Sequence, residues 1–372
     1  MKTATLTFHA SHNYGSMLQA YALQQILYNL GVENEIINLR TDIQKGLIPP
    51  QLQWCHPCSS LVKLLRHPIR SIALQRKYHR FEKFLVEQLH LTPELSSKKE
   101  VEIYLSKHEY DALIVGSDQI WNPACWDFDT SYLLDFTFSF KRIAYAPSLG
   151  SYPQKISKEQ VSLLNKFWLQ FDCLSTREQE GSEFVAQCTG REVMTVLDPT
   201  LLLDKESYNK LCNKKRIIKD QYIFYYTPRE EKGTFRAAQR LSKKTGLKIV
   251  VTQDYPEYVG SNVIHVNDCG PSEYINIVKN SDYTIGKSFH LLAFSIIFEK
   301  EFLMVSRSED SRFDNILSPL NLKNRCISPE MEDFDLPDKI NYDFVRSSLL
   351  QMQKDSIQYL KEALFAYESK CL

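Results

Sequence analysis

The sequence predicts an α/β protein with two doubly wound domains and a long terminal helix. Its 372 residues are enough for two domains of about 100 to 200 residues each. Short β-prone segments alternate with segments of helical periodicity, which is typical of a mainly parallel sheet. The alternation restarts after Asp198-Pro199. We therefore place the first domain at residues 1–200, the second at 201–330, and a helical segment that packs back at 331–372.

The first domain begins with a β-loop-α-β unit. Its helix is predicted over residues 17–30, where apolar side chains recur at helical spacing and Gly31 supplies a C-terminal cap signal. The strands of this domain are predicted at residues 3–8, 33–39, 112–115, 142–146 and 173–176. The last three strands each run into a polar loop, so polar side chains are expected at their carboxyl ends.

The second domain repeats this alternation. Its strands are predicted at residues 222–226, 247–252, 282–285 and 302–305, and its helices at 234–245, 272–280 and 289–298. Residues 342–367 then carry the apolar spacing of one long helix.

The composition excludes several classes of protein. Lys plus Arg and Asp plus Glu both total 45, so no net field attracts nucleic acid and we expect no such partner. The longest strongly apolar stretch, residues 291–298, is far shorter than the roughly 20 residues of a membrane-spanning helix, and we expect a cytoplasmic protein. The 12 glycines form neither a dinucleotide fingerprint nor a phosphate loop, and we expect no cofactor.

Metal ligands are sparse in the sequence. The nine cysteines are irregularly spaced, which predicts reduced thiols. Cys55 and Cys58 form a C-x-x-C without the second pair that a structural zinc site needs. Asp127 and Asp129 match the D-x-D that binds a metal and a nucleotide sugar in some glycosyltransferases, but the surrounding pattern favours the solvated face of a strand. The sequence therefore predicts no metal site.

A basic helical segment covers residues 61–89, around a break at Pro68. Its cations are spaced to lie on one face, and they are Lys63, Arg66, Arg70, Lys77 and Arg80. Such a stripe is either a solvated face or a surface for anionic lipid or a phosphorylated acceptor. In the second case the protein would lie at the inner face of the membrane.

Polar clusters follow the predicted strands of both domains. In open α/β sheets, ligands bind beyond the carboxyl ends of strands, where helix N-termini offer N–H groups to anions. The predicted substrate-binding residues are Asn13, Tyr14, Gly15, Ser16, Gly116, Ser117, Gln119, Trp121, Asn122, Ser148, Lys287 and Ser288. The predicted catalytic residues are His290, Arg177 and Asp118. We expect Arg177 and His290 to face one groove.

Each catalytic candidate also has a structural alternative. His290 lies between a predicted buried strand and a strongly apolar helix, where either a catalytic or a hydrogen-bonded structural histidine fits. Arg177 follows a strand in the same way, and its alternative is a surface salt bridge. The Asp118 carboxylate either caps the next helix or contacts an acceptor.

At these residues the sequence resembles the polysaccharide pyruvyl transferase family. The segments that carry the resemblance are NYGSMLQAYALQQIL at 13–27, YDALIVGSDQIWNP at 110–123, KRIAYAPSLG at 141–150, LSTREQEG at 174–181, VLDPTLLLD at 196–204, GPSEYINIVKNSDYTIGKSFHLLAFSIIFEKEF at 270–302 and SRFDNILSPLNLKNR at 311–325. The resemblance implies two Rossmann-like domains that face each other across a cleft, as in glycosyltransferase-B-like proteins. It also implies Arg177 and His290 as site residues.

The implied reaction moves the pyruvyl group of phosphoenolpyruvate onto hydroxyls of a sugar or lipid-linked glycan, and it forms a ketal and releases phosphate. One segment departs from the family pattern S-F-H-G-T: Lys287 precedes Ser288, and Leu291 and Leu292 follow His290. The loss of Gly keeps the backbone farther from a ligand, the loss of Thr removes a hydroxyl, and Lys287 is a compensating charge. Two other functions stay open, a glycosyltransferase with a nucleotide-sugar donor and a non-catalytic glycan-binding or assembly protein.

Overall fold

The computed structural model describes residues 1–47, 49–50, 52, 57–150, 153–212, 215–307 and 311–366. The strands are β1 Lys2–Leu6, β2 Glu33–Ile36, β3 Ala112–Val115, β4 Lys141–Ala144, β5 Ser175–Thr176, β6 Met194–Thr195, β7 Tyr222–Tyr226, β8 Lys248–Val251, β9 Val263–His265, β10 Tyr283–Gly286, β11 Glu301–Val305 and β12 Cys326–Ile327. The helices are α1 Tyr14–Asn29, α2 Asp42–Leu47, α3 Pro57–Arg66, α4 Pro68–Gln88, α5 Lys98–Leu105, α6 Lys158–Trp168, α7 Gln179–Thr189, α8 Lys205–Asn209, α9 Thr234–Thr245, α10 Pro271–Asn280, α11 Phe289–Ile297, α12 Ser311–Leu317 and α13 Tyr342–Phe365.

The first sheet has the strand order β2-β1-β3-β4, and all neighbouring strands are parallel. Thr5 of β1 pairs with Ile36 on one side and with Ile114 on the other. All four residues of the inner strand β3 are buried, as expected for an apolar strand that helices cover on both faces. β5 and β6 form a small parallel sheet of their own.

The second sheet has the order β9-β8-β7-β10-β11-β12, again with parallel neighbours. Counted from β7, this is the 3-2-1-4-5-6 order of a Rossmann domain. The winding reverses between β7 and β10, and such a reversal is where these sheets bind ligands. The strands that the sequence predicts are therefore confirmed, with ends that differ by a few residues. β6, β9 and β12 were not predicted.

The two sheets share an apolar core through α1, α10 and α13. Tyr14 of α1 stacks on Tyr274 of α10 with ring centroids 4.5 Å apart. α13 crosses back to the first domain, where the Tyr359 hydroxyl donates to the Ala144 carbonyl oxygen at 2.8 Å. Two Rossmann-like domains thus face each other, and the terminal helix packs against both. The domain boundaries at 200 and 330 stay predictions.

The basic segment 61–89 contributes most of α3 and all of α4, with the predicted break at Pro68. Three cations of the predicted stripe contact the second domain, in the pairs Arg70 with Asp254 (2.5 Å), Lys77 with the Thr252 carbonyl oxygen (2.8 Å) and Arg80 with the Asp268 carbonyl oxygen (2.6 Å). Burial lowers the pKa of Lys77. The prediction of a single exposed basic stripe is therefore wrong, because these cations on α4 bind groups of the second domain.

α4 also anchors the loop that follows β1. Glu82 accepts a hydrogen bond from His12 Nε2 at 2.6 Å and two from Arg40, both at 2.9 Å. Partial burial would raise the pKa of Glu82, but these hydrogen bonds and charges lower it to about 2. Glu82 is therefore ionised, and its carboxylate holds the loop in place.

The prediction that Asp127 and Asp129 lie on a strand is wrong. Asp127 lies in a turn, and Asp129 caps a short 3₁₀ helix by accepting the Ser131 N–H at 2.7 Å. The aspartate side chain accepts hydrogen bonds from nearby backbone N–H groups in turns, and aspartate is depleted in strands. None of the helices in the described part of the chain has both the length and the apolar character needed to cross a membrane.

Candidate active site

A groove of about 840 Å³ lies between the domains, at the carboxyl ends of their strands. The first domain contributes the loops after β1, β3 and β5, and the second contributes those after β7 and β10. Eight of the predicted site residues line it, namely Asn13, Ser16, Asp118, Gln119, Arg177, Lys287, Ser288 and His290. Arg177 and His290 therefore face one groove, while their chemical roles stay predictions.

His290 is the second residue of α11, whose N-cap is Ser288. The residue is only 8% exposed. Its Nε2 has no hydrogen-bond partner among the described residues and lies 3.7 Å from Asp198 Oδ2, which is too far for a hydrogen bond but suits an ion pair once the ring is protonated. The ring rests on Gly15, where an added Cβ would lie 2.0 Å from Nδ1. Gly15 therefore makes room for His290.

Asp198 is a fully buried anion behind His290. Its Oδ2 accepts from Ser117 Oγ at 2.9 Å and from Arg177 Nη1 at 3.1 Å, and its Oδ1 accepts from Thr200 Oγ1 at 2.7 Å. Burial alone would raise the pKa of Asp198, but a protonated His290, Arg177 and these hydrogen bonds hold it well below the ordinary value. The carboxylate is therefore ionised and can stabilise a positive imidazole.

Arg177 is held by buried carboxylates. Its Nε donates to Glu178 Oε1 at 2.8 Å and its Nη1 to Asp198, while the guanidinium lies 4.3 Å from the centroid of the Phe289 ring. Burial would lower the pKa of Arg177, but Glu178 and Asp198 raise it above the ordinary value. The alternative of a surface salt bridge is wrong because the pairs are buried. These two hydrogen bonds use two of the five N–H donors of Arg177, so part of its capacity to bind a phosphate is already taken.

Asp118 lies on the wall of the groove and is 8% exposed. Its Oδ2 accepts from Ser16 Oγ at 2.5 Å, and its Oδ1 accepts from the Gln119 N–H at 2.8 Å. Turns and no helix follow Asp118 directly in the described chain, so the helix-cap alternative is wrong. The remaining lone pairs of the carboxylate are suited to accept from a sugar hydroxyl.

Lys287 lies on the rim of the groove and is paired. Its Nζ donates to both carboxylate oxygens of Glu231, at 2.7 and 2.8 Å. The charge of Lys287 is therefore already balanced, which disfavours a role in replacing lost donors. Leu291 and Leu292 are fully buried and do not line the groove.

The other predicted binding residues support the walls without lining the groove, and they are Tyr14, Gly15, Gly116, Ser117, Trp121, Asn122 and Ser148. Trp121 is fully buried and its indole N–H donates to the Tyr132 carbonyl oxygen at 3.1 Å. Its predicted contact with substrate is therefore wrong. Gly116 has φ +118°, and a Cβ there would lie 1.9 Å from the Tyr145 carbonyl oxygen, so only glycine allows this turn.

Asp198 and most of the second-domain rim were not among the predicted site residues. Asp198 marked only the restart of the α/β pattern, although an acidic residue directly after an apolar run signals a strand end. Thr227, Arg229 and Glu231 line the groove and follow β7 closely. The rule that ligands bind beyond strand ends could have found them. Arg312 of α12 also lines the groove, and it lies seven residues beyond the end of β11.

In the described ranges, no group of three or more His, Cys, Asp or Glu is arranged to hold a metal ion. The absence of a metal stays a prediction. Seven cysteines are described, and all are free thiols. Cys55, the first cysteine of the C-x-x-C with Cys58, lies outside the described residues.

The fold and the groove define a glycosyltransferase-B-like protein with two Rossmann-like domains. A sequence model of the polysaccharide pyruvyl transferase family matches residues 13–309, and the chain belongs to that family. No curated protein matches it in sequence.

Several solved structures share the fold. A UDP-N-acetylglucosamine 2-epimerase from Rickettsia bellii aligns with a TM-score of 0.53 at 10% identity, over 99% of this chain and 100% of that chain. The UDP-GlcNAc 2-epimerase from Neisseria meningitidis aligns with a TM-score of 0.51 at 9% identity, over 98% of this chain and 94% of that chain. Because identity is so low, these similarities show the fold alone.

Proposed function

We propose that this protein transfers the pyruvyl group of phosphoenolpyruvate to hydroxyls of a sugar in a glycan or lipid-linked glycan precursor. The products would be a pyruvyl ketal and inorganic phosphate, with phosphoenolpyruvate as a substrate and no further cofactor. Family membership supports a transferase of this kind. The observation that carries the proposal is His290 in the groove, with the buried carboxylate of Asp198 behind it.

The reaction consists of proton transfers and bond exchange at one carbon. C3 of the enol gains a proton while the oxygen of a sugar hydroxyl bonds to C2 and loses its own proton. The bond between C2 and the phosphate oxygen then breaks, a second hydroxyl oxygen bonds to C2, and its proton leaves with the phosphate. Histidine suits these general acid and base steps near neutral pH.

The two ring nitrogens of His290 have different surroundings. Nε2 is buried and lies 3.7 Å from Asp198 Oδ2, whereas Nδ1 lies over Gly15. We therefore assign proton transfer to Nδ1. Asp198 is the positioning residue, because an ionised carboxylate favours the tautomer with hydrogen on Nε2 and stabilises the imidazolium. Asp118, with Ser16, would hold the acceptor hydroxyl.

The donor carries a phosphate and a carboxylate, so its binding needs cations. Arg177 is already surrounded by carboxylates, those of Asp118 on the groove wall and of the buried Glu178 and Asp198. We therefore place the phosphate at the rim, near Arg229 and Arg312. Arginine binds phosphate oxygens bidentately when its nitrogens point to the ligand.

The test uses purified protein, phosphoenolpyruvate and a panel of synthetic and lipid-linked glycosides. Released phosphate and the mass of the acceptor are measured for wild type, His290→Ala and the control His265→Ala, whose side chain is exposed at the end of β9. His290→Ala should lower turnover by about 10² to 10⁴-fold, while His265→Ala should match wild type.

If His290→Ala turned over as fast as wild type, His290 would not be the residue that transfers protons. A nucleoside diphosphate could be released from a nucleotide sugar while no phosphate is released from phosphoenolpyruvate. That result would identify a glycosyltransferase with a nucleotide-sugar donor. Glycan binding without any turnover would identify a non-catalytic protein.

A further inference from the structure

An exposed apolar surface lies where α3 meets α4. Leu61, Leu65, Ile69 and Ile72 are 55, 72, 85 and 42% exposed, and we call these four residues the apolar tip. Leu61 and Leu65 are four residues apart in α3, and Ile69 and Ile72 are three apart in α4, so each pair shares one helix face. Side chains this exposed contribute little to the core, and contiguous exposed apolar surface marks an interaction site.

Exposed cations flank the apolar tip along the chain. Lys63 and Arg66 are exposed residues of α3, and Arg76 of α4 is exposed one turn beyond Ile72. The sequence has no Asp or Glu between Asp42 and Glu82. The cations on the inner face of α4 instead contact the second domain, for example Arg70 with Asp254. The outer face therefore joins apolar side chains to exposed positive charge.

We propose that the apolar tip docks on an anionic lipid bilayer. The apolar side chains would enter the boundary between headgroups and acyl chains, and Arg66 and Arg76 would contact lipid phosphates. Charge complementarity favours this occupant, because exposed cations flank the apolar side chains and residues 43–81 contain no acid, which suits an anionic membrane. A second copy of the chain would bring like charges together.

The docked position also suits the proposed acceptor. α4 carries Ile69 of the apolar tip near its start and Glu82 near its end, and Glu82 holds His12 in the loop that lines the groove. Thirteen residues of helix span roughly 20 Å, so the bilayer surface would lie about that distance from the groove. A lipid-linked glycan could bridge this distance. Only this last step rests on the proposed function.

The test is cosedimentation of the full chain, without substrates, with vesicles of phosphatidylcholine alone and of an equimolar mixture of phosphatidylcholine and phosphatidylglycerol. Wild type should bind the mixed vesicles and lose binding at high salt. Leu65→Glu with Ile69→Glu should lower the partition coefficient at least about tenfold. Arg66→Gln with Arg76→Gln should lower it by roughly 10 to 30-fold. Val86→Glu, at a position 79% exposed near the other end of α4, is the matched control and should bind like wild type.

Thermal unfolding of each variant checks that it is folded. We expect all variants to fold, because the substituted side chains are exposed. Equal weak binding of wild type to both kinds of vesicle would overturn the proposal, and so would unchanged binding of the Leu65→Glu, Ile69→Glu variant. A dimer in solution that this variant dissociates, with no vesicle binding, would assign the surface to self-association. Because no substrate is present, none of these outcomes depends on pyruvyl transfer.

Discussion

Replacing Gly15 with alanine should displace His290 without unfolding the protein. The added Cβ would lie 2.0 Å from Nδ1, 2.4 Å from Cγ and 2.7 Å from Cε1 of the His290 ring. The ring must move by about 1.4 Å to restore an ordinary van der Waals contact of 3.4 Å. Because Nε2 faces the buried Asp198, this movement changes the direction of both ring nitrogens.

The expected effect on stability is small and the effect on turnover is large. Overpacking costs about 1 to 3 kcal/mol, and alanine regains roughly 0.5 to 1 kcal/mol of helix propensity at this position in α1. The free energy of unfolding should therefore fall by about 2 kcal/mol or less. A catalytic group that is displaced by about 1 Å costs on the order of 10²-fold in rate.

The assay is phosphate release from phosphoenolpyruvate, together with urea unfolding. Gly46→Ala is the matched control, since Gly46 is exposed in α2 and an added Cβ meets nothing within 4 Å. It should leave turnover unchanged. In a His290→Ala background, Gly15→Ala should cost neither stability nor residual turnover, because the clashing ring is gone. Equal losses in both backgrounds would refute the argument that Gly15 acts through His290.

Three further substitutions test separate charges. Asp198→Asn should lower turnover at least about tenfold, since the charge that positions His290 and pairs with Arg177 is lost; turnover equal to that of wild type would contradict this. Glu82→Gln should reduce the free energy of unfolding at pH 7 by about 1 to 2 kcal/mol, discounted for partial exposure. Because the pKa of Glu82 is lowered from 4.5 to about 2, this difference should shrink as the pH falls from about 5 toward 2, and a difference independent of pH would exclude the mechanism. Lys287→Ala should weaken phosphoenolpyruvate binding roughly tenfold, because the carboxylate of Glu231 is left unpaired. The double variant Lys287→Ala, Glu231→Gln should regain the affinity of wild type in calorimetry. If it does not, Lys287 contacts the donor directly.

The fold could be predicted because its signals are local. Short apolar runs such as that of β3 and periodic helices such as α9 are specified by their own residues. The outer strands β9 and β12 were not predicted, since neither has the fully buried pattern of the inner strands. The fate of the cations in α4 was also beyond sequence analysis. The spacing of these cations places them on one face of α4. That the second domain covers this face depends on how the domains pack.

The candidate site was predicted in its location more than in its contacts. The rule on strand ends found His290 and Arg177 because each closely follows a buried strand. It could not show that Arg177 is occupied by Glu178 and Asp198, since those partners depend on how loops meet in three dimensions. Trp121 was assigned to the site from its polar neighbours, yet a large aromatic ring next to a buried strand gains more from the core.

The departure from the family pattern after His290 is a change of packing. Leu291 lies in the core that joins the two domains, and Leu292 lies in the core beside β11. Neither side chain reaches the groove, so the leucines do not close a donor pocket. Restoring Gly and Thr at these positions would remove two buried side chains at a cost of roughly 2 to 5 kcal/mol each, which is comparable with the 5 to 15 kcal/mol that keeps a typical domain folded. Such a reversion would therefore measure folding, and whether this chain uses phosphoenolpyruvate depends on His290, Asp198 and the arginines of the rim.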